Sequence, residues 1–448
     1  MVKGRYITKY LIDGTFTSPL RVGNTGNAGS PILISETDNL PFIQSSSLTG
    51  AMRSAYLSVY GENAVRSLFG GPGDDALSRI CISDALFKRD TVKYEIRPRV
   101  SIDPVSGTAS SSLIKGTDLS SGHKFDIECV GKGASFIFSM YLYHDEKEQF
   151  VPEIKNVLAM LNGGGVLLGG QKSNGFGDVC LNSVWMKSFD LTLKEDRDKW
   201  IKEDELQKSE YTDIVSELKP IKNYAYNISF IGKTRNGLLV KGYDKKGFGK
   251  DFADVINIVD VAGDYIIPGS SIKGVVRSRI EMIIKYLNKE NAKNVIIDIF
   301  GGTEKDSRIG NLRVRDCVIG DREKNDKAGL SHRIHIDKLT GGVFSGGLFS
   351  EKRAYGNIKL EFDIADRSHP EVTCGYLLLV LRDMATGMIN LGSGGSIGNG
   401  DIIAEEMMIS AGDKTASINF KTGSINDADG VIEKCLYALK GDSNGLQD

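Results

Sequence analysis

A short serine and glycine turn that leads directly into a helix is the first feature with chemical potential. In residues 265–280, "YIIPGSSIKGVVRSRI", Ser270 and Ser271 stand where a predicted strand meets a predicted helix. The start of a helix presents free backbone N–H groups and the positive end of the helix dipole, which bind phosphate whatever base it carries. Lys273 and Arg277 add positive charge on the same first turns. The pattern indicates a site that grips a nucleic-acid backbone without reading its sequence.

The same kind of turn occurs earlier, in residues 41–56, "PFIQSSSLTGAMRSAY". When Ile43 is aligned with Ile267, the polar and basic positions of the two turns coincide. The matched phosphate-binding candidates of the first copy are Ser46, Ser47, Gly50 and Arg53. The plainer interpretation of any one turn is that its serines only cap the helix.

Further blocks recur in the same order along the chain. "SLFGG" (residues 67–71) matches "DIFGG" (298–302), "RVSIDPVSGTA" (99–109) matches "RIHIDKLTGGV" (333–343), and the glycine-loop sequence "SNGFGDV" (173–179) matches "SIGNGDI" (396–402). An ordered set of matches of this kind indicates an internal duplication.

Each copy predicts the same order of elements. Apolar residues recur at helical spacing after each serine turn, and alternating strands and a second helix follow before the glycine loop. This order predicts an α+β fold of two tandem RRM-like, ferredoxin-like (βαββαβ) domains with long insertions. The predicted domains are residues 1–190 and 222–448, joined by a charged connector at 191–221.

Composition limits the class of protein. The chain has 448 residues, enough for two domains, and 40% hydrophobic and 25% charged residues are ordinary for a globular protein. No apolar run long enough for a membrane helix and no secretory leader is evident, so we expect a cytoplasmic protein. The formal net charge of −2 argues against a general polyanion binder, so any nucleic-acid site must be a local groove. The 52 glycines indicate many tight turns or close approaches to a ligand.

These blocks resemble the RAMP-superfamily backbone subunits of type III CRISPR effector complexes, here as a tandem fusion. The resemblance rests on "IIPGSSIKGVVRS", both F-G-G corners, both R-x-x-I-D blocks and both glycine loops. It implies binding of guide RNA and single-stranded target RNA, with other RAMP backbone subunits, small subunits and a large polymerase-type subunit as partners. In the glycine loops it implies RNA contacts by Lys172, Ser173 and Ser396.

The resemblance also implies a hairpin thumb after each R-x-x-I-D block, which kinks the guide–target duplex. The predicted thumb segments are residues 107–122 and 341–356, and their glycine and serine content predicts mobility without RNA. The apolar residues able to wedge between bases are Leu113, Ile114, Leu348 and Phe349.

Family members typically cut target RNA with an aspartate in a loop that precedes the P-G-S-S block. In the second copy the loop before Pro268 carries Asp254 as the matching residue, with Asp251 and Asp260 as alternatives. The resemblance thus implies that Asp254 binds Mg²⁺ or Mn²⁺, or orients a 2′-hydroxyl for attack on the adjacent phosphate. A solvated loop carboxylate is the plainer interpretation.

The first copy departs from this pattern. Alignment on "SPIL" puts Gly29 where the family has its aspartate, and Asp38 in "ETDNLP" is interpreted as a turn residue. We therefore expect a first half that binds RNA without cutting it and a second half that is a metal-dependent endoribonuclease.

Several carboxylates and histidines are expected to be structural. Asp103 and Asp337 in the R-x-x-I-D blocks are predicted to end strands by hydrogen bonds to backbone. His332 and His335 could touch RNA, but the pair lacks a third zinc ligand.

Two other functions remain open. The first is a purely structural RNA-binding backbone subunit, with cleavage performed by neighbouring subunits. The second is a stand-alone nuclease that processes the guide precursor, which is less favoured because neither half shows a general-base histidine placed by a glycine loop.

Overall fold

The chain is represented by a computed structural model. The structure describes residues 4–23, 31–71, 77–103, 111–113, 120–122, 124–202, 208–242, 253–287, 291–302 and 308–441. Two compact units make up the fold: the first comprises Met1–Arg97, Asp126–Lys172 and Phe176–Asn223, and the second comprises Pro98–Phe125, Ser173–Gly175 and Tyr224–Asp448. Among the described residues, no helix is both long and apolar enough to cross a membrane.

The helices of the described residues are α1 Ser45–Phe69, α2 Val151–Asn162, α3 Lys194–Ile201, α4 Gly269–Tyr286, α5 Ala292–Phe300, α6 Arg322–Lys327, α7 Pro370–Ala385 and α8 Val431–Gly441. Two of them, α1 and α4, begin at the predicted serine turns. Gly61 interrupts α1 with a φ of 80°, so the first half has two helical segments where the second half has α4 and α5. Val59, two residues before this interruption, is 43% exposed.

The described residues of the first half contain eleven strands. They are β1 Tyr6–Phe16, β2 Phe42–Ile43, β3 Ile80–Ile82, β4 Ala85–Phe87, β5 Tyr94–Val100, β6 Ser111–Leu113, β7 Ser120–Gly122, β8 Lys124–Val130, β9 Ser135–His144, β10 Val179–Asp190 and β11 Thr212–Asp213.

The main sheet of the first unit is antiparallel, with the order β11-β10-β1-β9-β4-β2 and with β3 also paired to β9. Buried Tyr10, Ile12 and Phe16 of β1 share one core with Leu48 of α1 and Leu158 of α2. The two helices therefore bury the apolar stripes that their spacing predicts.

Twelve strands lie in the part of the second half that the structure describes. They are β12 Tyr226–Thr234, β13 Lys241–Gly242, β14 Val255–Asn257, β15 Ile266–Ile267, β16 Leu312–Val314, β17 Cys317–Val318, β18 Ser331–Ile336, β19 Val343–Lys352, β20 Asn357–Ile364, β21 Ile402–Ala411, β22 Lys414–Asn419 and β23 Ser424–Asn426.

The main sheet of the second unit has the order β16-β20-β12-β21-β22-β23, again antiparallel. Its core joins Phe230 of β12, Ile272 and Val276 of α4, and Leu377 of α7. In both units the pairing register of the central strand shifts just before a glycine. The shift occurs at Gly14 where β1 pairs with β10, and at Gly232 where β12 pairs with β21. The observed class is α+β, as predicted.

Strands β18 and β19, which follow α6, form a β-hairpin. Strand β14 pairs with β19 in parallel, with Val255 opposite Glu351. The second R-x-x-I-D block forms the first arm and turn of this hairpin, although the prediction placed it before the thumb. Within the predicted thumb segment 341–356, residues 343–352 form β19. Most of β19 is exposed, so cross-strand backbone hydrogen bonds define the strand and no buried alternation marks it.

Candidate RNA-binding and catalytic site

The serines of the two helix-start turns do not cap their helices. Gln44 and Pro268 occupy the N-cap positions, with no side-chain cap hydrogen bond, and the helices begin at Ser45 and Gly269. Ser46, Ser47, Ser270 and Ser271 lie within the first turns. The expected serine caps are therefore wrong for both helices.

A carboxylate from another segment accepts the first N–H of each turn. The backbone N–H of Ser45 donates to Asp84 at 2.7 Å, and the backbone N–H of Gly269 donates to Asp316 at 2.7 Å. Asp84 and Asp316 each follow a short strand that runs beside its helix start. The first N–H is thus not free for phosphate, and any anion at these turns must use the remaining groups and the basic side chains.

The basic side chains of the second turn gather around the F-G-G corner. Lys273 Nζ lies 6.0 Å and Arg277 Cζ 5.5 Å from the ring centre of Phe300. Arg277 also pairs with Glu281, its Nε lying 2.7 Å from the carboxylate. Desolvation, with Arg277 nearby, lowers the pKa of Lys273 to about 8. Lys273 therefore carries a charge that is sensitive to neutral and mildly alkaline pH.

Arg279 serves the fold. Its Nε lies 2.7 Å from the carboxylate of Asp383, whose side chain is 2% exposed and also pairs with Arg382. A nearly fully buried carboxylate thus holds the Arg279 guanidinium.

The matched glycines of the two turns have open space around them. Among the described residues, a Cβ on Gly50 or on Gly274 would meet no heavy atom within 4 Å, and neither glycine has a left-handed φ. Both lie inside helices, where glycine costs about 0.5–1 kcal/mol relative to alanine. The fold itself therefore does not require glycine at either position. Arg53 lies on the next turn of α1 after Gly50 and is half-buried.

Both glycine loops are held by the same backbone hydrogen bonds. Leu168 N–H donates to Gly177 O and Leu391 N–H to Gly400 O, at 3.0 and 2.9 Å. Gly177 and Gly400 have φ values of 88° and 75°, and a Cβ on either would clash with the carbonyl of its leucine partner. Glycine is required at both positions by backbone strain and by this close approach.

The predicted RNA contacts of the glycine loops lie on short 3₁₀ turns. Lys172 and Ser173 belong to the turn Lys172–Asn174, and Ser396 belongs to Gly395–Ile397. Lys172 and Ser396 are exposed and Ser173 is half-buried.

The segment after the central strand also repeats, which is consistent with the predicted alignment of Asp254 with Gly29. Leu33 N–H donates to Val22 O at 3.0 Å, and Ile258 N–H donates to Val240 O at 2.8 Å. Asp254 stands four residues before Ile258. The residue four positions before Leu33 is Gly29, which lies outside the described residues.

Asp254 is exposed and lies at the base of the hairpin. The backbone N–H and the hydroxyl of Ser350 donate to Asp254 Oδ2, at 2.7 and 2.9 Å, and Asp254 N–H donates to Ser350 Oγ at 3.1 Å. These hydrogen bonds, with a smaller contribution from His332, lower the pKa of the Asp254 carboxyl. The group is therefore an anion at neutral pH, as a metal ligand must be.

The alternatives to Asp254 differ in their surroundings. Asp260 is buried and accepts the backbone N–H groups of Ala262 and Asp264, at 2.8 and 3.0 Å, as a turn residue does. Asp251 lies outside the described residues. In the first half, Asp38 accepts Leu40 N–H at 3.1 Å, so its interpretation as a turn residue is confirmed.

Two of the predicted wedge residues lie on the hairpin and are exposed to solvent. Leu348 is 65% and Phe349 38% exposed. At the tip, Asp337 accepts the N–H groups of Leu339 and Thr340, at 2.7 and 3.3 Å, which confirms its structural role. Leu113 ends β6 opposite Ser120 of β7, and Ile114 lies outside the described residues.

The residues around Asp254 fit a metal ion only if the ion takes most of its ligands from water and RNA. Within the described residues, no three His, Cys, Asp or Glu side chains cluster to hold a metal ion. A single exposed carboxylate suits a hydrated Mg²⁺ that takes its other ligands from water and RNA phosphate.

Sequence reasoning missed Asp84, Asp316 and Ser350. Each acts on a residue far along the chain, so no local spacing reveals it. A weak signal was present for the first two, since both aspartates occur between short apolar strands in the two copies.

Comparisons with known proteins give a family. The RAMP superfamily model matches residues 14–180 and 200–402, which together are most of the chain. A search of curated proteins finds no match. Among solved structures, one described as "Cryo-EM structure of the Type III-B Cmr-beta bound to cognate target RNA" is similar, with 17% sequence identity and a TM-score of 0.31 over 40% of this chain and 60% of that chain.

Proposed function

The chain belongs to the RAMP superfamily, matched once in each half, and we propose that it is a backbone subunit of a type III CRISPR effector complex whose second half cuts target RNA. The observation that carries the proposal is the exposed carboxylate of Asp254, held by Ser350 at the base of a hairpin with exposed apolar residues. The proximity of this carboxylate to exposed apolar side chains supports the proposal of a catalytic group beside a wedge for RNA bases.

We infer an RRM-like, ferredoxin-like (βαββαβ) arrangement for each half. In the first unit the order β10-β1-β9-β4, with α1 after β1 and α2 after β9, is that of a split βαβ pair. The order β21-β12-β20-β16 in the second unit, with α4 after β12 and α7 after β20, is the same. This repetition supports two tandem RRM-like domains.

Guide RNA binding is assigned to the helix-start turns and the glycine loops of both halves. Lys273 beside Phe300 offers charge next to an aromatic face, and the open space at Gly50 and Gly274 admits a phosphate close to the helix backbone. Such contacts position RNA and leave sequence recognition to base pairing. The proposed partners are guide RNA, target RNA, other backbone and small subunits, and the large polymerase-type subunit.

Cleavage is assigned to Asp254 with a hydrated Mg²⁺ or Mn²⁺. When bound, the metal ion would stabilise charge on the reacting phosphate. Asp254 would hold that ion with one oxygen while Ser350 fixes the other. Attack by the neighbouring 2′-hydroxyl, with loss of its proton, would break the bond between phosphorus and the 5′-oxygen of the next nucleotide, leaving a 2′,3′-cyclic phosphate on one fragment and a protonated 5′-hydroxyl on the other. The first half has Gly29 at the matching position, so only the second half is expected to cut.

The test maps the ends of a labelled target RNA cut by the assembled complex. Asp254→Asn should abolish the product at the second-half site while target binding persists, because the amide keeps the size of the side chain and loses its charge. Asp413→Asn, an exposed turn carboxylate of the same unit, is the matched control. Unchanged cleavage by Asp254→Asn, or a strong wild-type cut opposite the first half, would contradict the assignment.

A structural, non-cutting backbone subunit is the second candidate function. It is favoured by the single carboxylate, since the part of the chain that the structure describes holds no cluster of metal-ligating side chains. Under this alternative Asp254→Asn changes nothing, and cleavage depends on neighbouring subunits.

A further inference from the structure

Ser350 makes three hydrogen bonds to one residue, Asp254. Its N–H and hydroxyl both donate to Oδ2, and its hydroxyl oxygen accepts the N–H of Asp254. The carboxylate is thereby fixed in rotation about its side chain, and Oδ1 is the oxygen that Ser350 does not bind. A carboxylate fixed in this way needs no reorganisation before it contacts a metal ion or accepts a hydrogen bond from a substrate hydroxyl.

The hairpin is itself anchored next to Ser350. Glu351, the following residue, is 7% exposed, and its carboxylate lies 2.9 Å from Arg333 Nε and 3.6 Å from Arg353 Nε. Glu351 also stands opposite Val255 in the parallel pairing of β19 with β14. The base of the hairpin and the residue after Asp254 are therefore held in one register.

The first half differs at the position that corresponds to Ser350. Leu20 and Val130 exchange reciprocal backbone hydrogen bonds, at 2.8 and 2.9 Å, and Leu238 and Ala354 do the same at 2.8 and 2.9 Å. Val130 therefore corresponds to Ala354. Four residues earlier stand Asp126 in β8 and Ser350 in β19. The half without the aspartate thus also has a carboxylate in place of the hydroxyl.

We propose that Ser350 is the positioning residue of the second-half cleavage site, its hydroxyl and N–H fixing the Asp254 carboxylate through the hairpin. The proposal rests on the proposed function, since it concerns the same site. Leu348 and Phe349 immediately precede Ser350 on β19, so RNA that displaces these exposed side chains acts directly on the strand that holds the carboxylate.

The test uses the assembled complex with guide RNA, single-turnover cleavage of a labelled target, and target affinity measured separately. Ser350→Ala removes the hydroxyl, Ser350→Thr retains it, and Ser350→Asp introduces the residue of the first half. Ser345→Ala, an exposed serine on the same strand, is the matched control. A second readout is Mn²⁺ affinity by electron paramagnetic resonance on a complex loaded with an uncleavable 2′-deoxy target.

Ser350→Ala should slow cleavage about tenfold to hundredfold, the range expected for a misplaced reacting group, with target affinity unchanged. The same variant should weaken Mn²⁺ binding. Ser350→Thr should restore most of both, and Ser350→Asp should abolish cleavage because two adjacent carboxylates repel each other. Ser345→Ala should match the wild type. If Ser350→Ala fails to assemble, Ser350→Cys keeps the shape with a weaker donor and should show the same defects.

Two results would overturn the proposal. The first is wild-type cleavage and Mn²⁺ affinity in Ser350→Ala, and the second is a loss in Ser350→Thr equal to that in Ser350→Ala. The outcome is separable from the proposed function: an inactive Asp254→Asn together with a normal Ser350→Ala refutes only the positioning role, whereas an active Asp254→Asn refutes the cleavage site itself.

Discussion

Replacement of Gly274 by alanine should stabilise the chain and weaken its binding to guide RNA. Gly274 lies within α4, and a Cβ there would meet no heavy atom of the described residues within 4 Å. Alanine in a helix interior is favoured over glycine by about 0.5–1 kcal/mol. For a unit of this size such a gain raises Tm by about 1–4 °C.

RNA binding should change in the opposite direction if a phosphate occupies the open space beside Gly274. An added methyl group in a closely packed contact costs about 1–3 kcal/mol, which is about tenfold to hundredfold in Kd. The assay compares thermal unfolding of the full chain with guide-RNA affinity at fixed salt. Gly329→Ala is the matched control, because Gly329 also has open space and lies in a loop away from the turn.

The two measurements test different steps of the reasoning. A lower Tm for Gly274→Ala would show that the helix does not have the space that the structure gives it. A higher Tm with unchanged RNA affinity would show that no ligand approaches Gly274, and the phosphate site would have to lie elsewhere.

Three further predictions concern charge and capping. Desolvation lowers the pKa of Lys273 to about 8, so its positive charge is lost as the pH rises through that value, and guide-RNA affinity should fall between about pH 7 and 9. Lys273→Arg should remove this pH dependence in a filter-binding assay. An equally steep fall of affinity in the Lys273→Arg variant would exclude Lys273 as its cause. Asp316→Ala should lower the free energy of unfolding by about 0.5–2 kcal/mol in urea titrations, since it leaves the Gly269 N–H without its carboxylate, whereas an unchanged midpoint would show that this cap contributes nothing. Guide-RNA binding should weaken steeply with salt and be nearly the same for different spacers; a strong preference for one spacer at matched salt would contradict phosphate-dominated binding.

The sequence by itself determined the features that depend on near neighbours. Its repeated blocks established the duplication, the 3.6-residue apolar period located α4 and its buried Ile272 and Val276, and the turn chemistry identified Asp38 and Asp337. These features are local because a helix period or a turn hydrogen bond involves residues a few positions apart.

Only the tertiary structure decided which distant groups meet. Asp316 caps a helix start 47 residues away, and Ser350 holds Asp254 from 96 residues away. The exposed arm β19 lacks the alternation that marks a half-buried strand, and Arg279 is drawn to Asp383 by packing of α4 against α7. Such contacts depend on the path of the folded chain, which brings together residues whose spacing in the sequence carries no period.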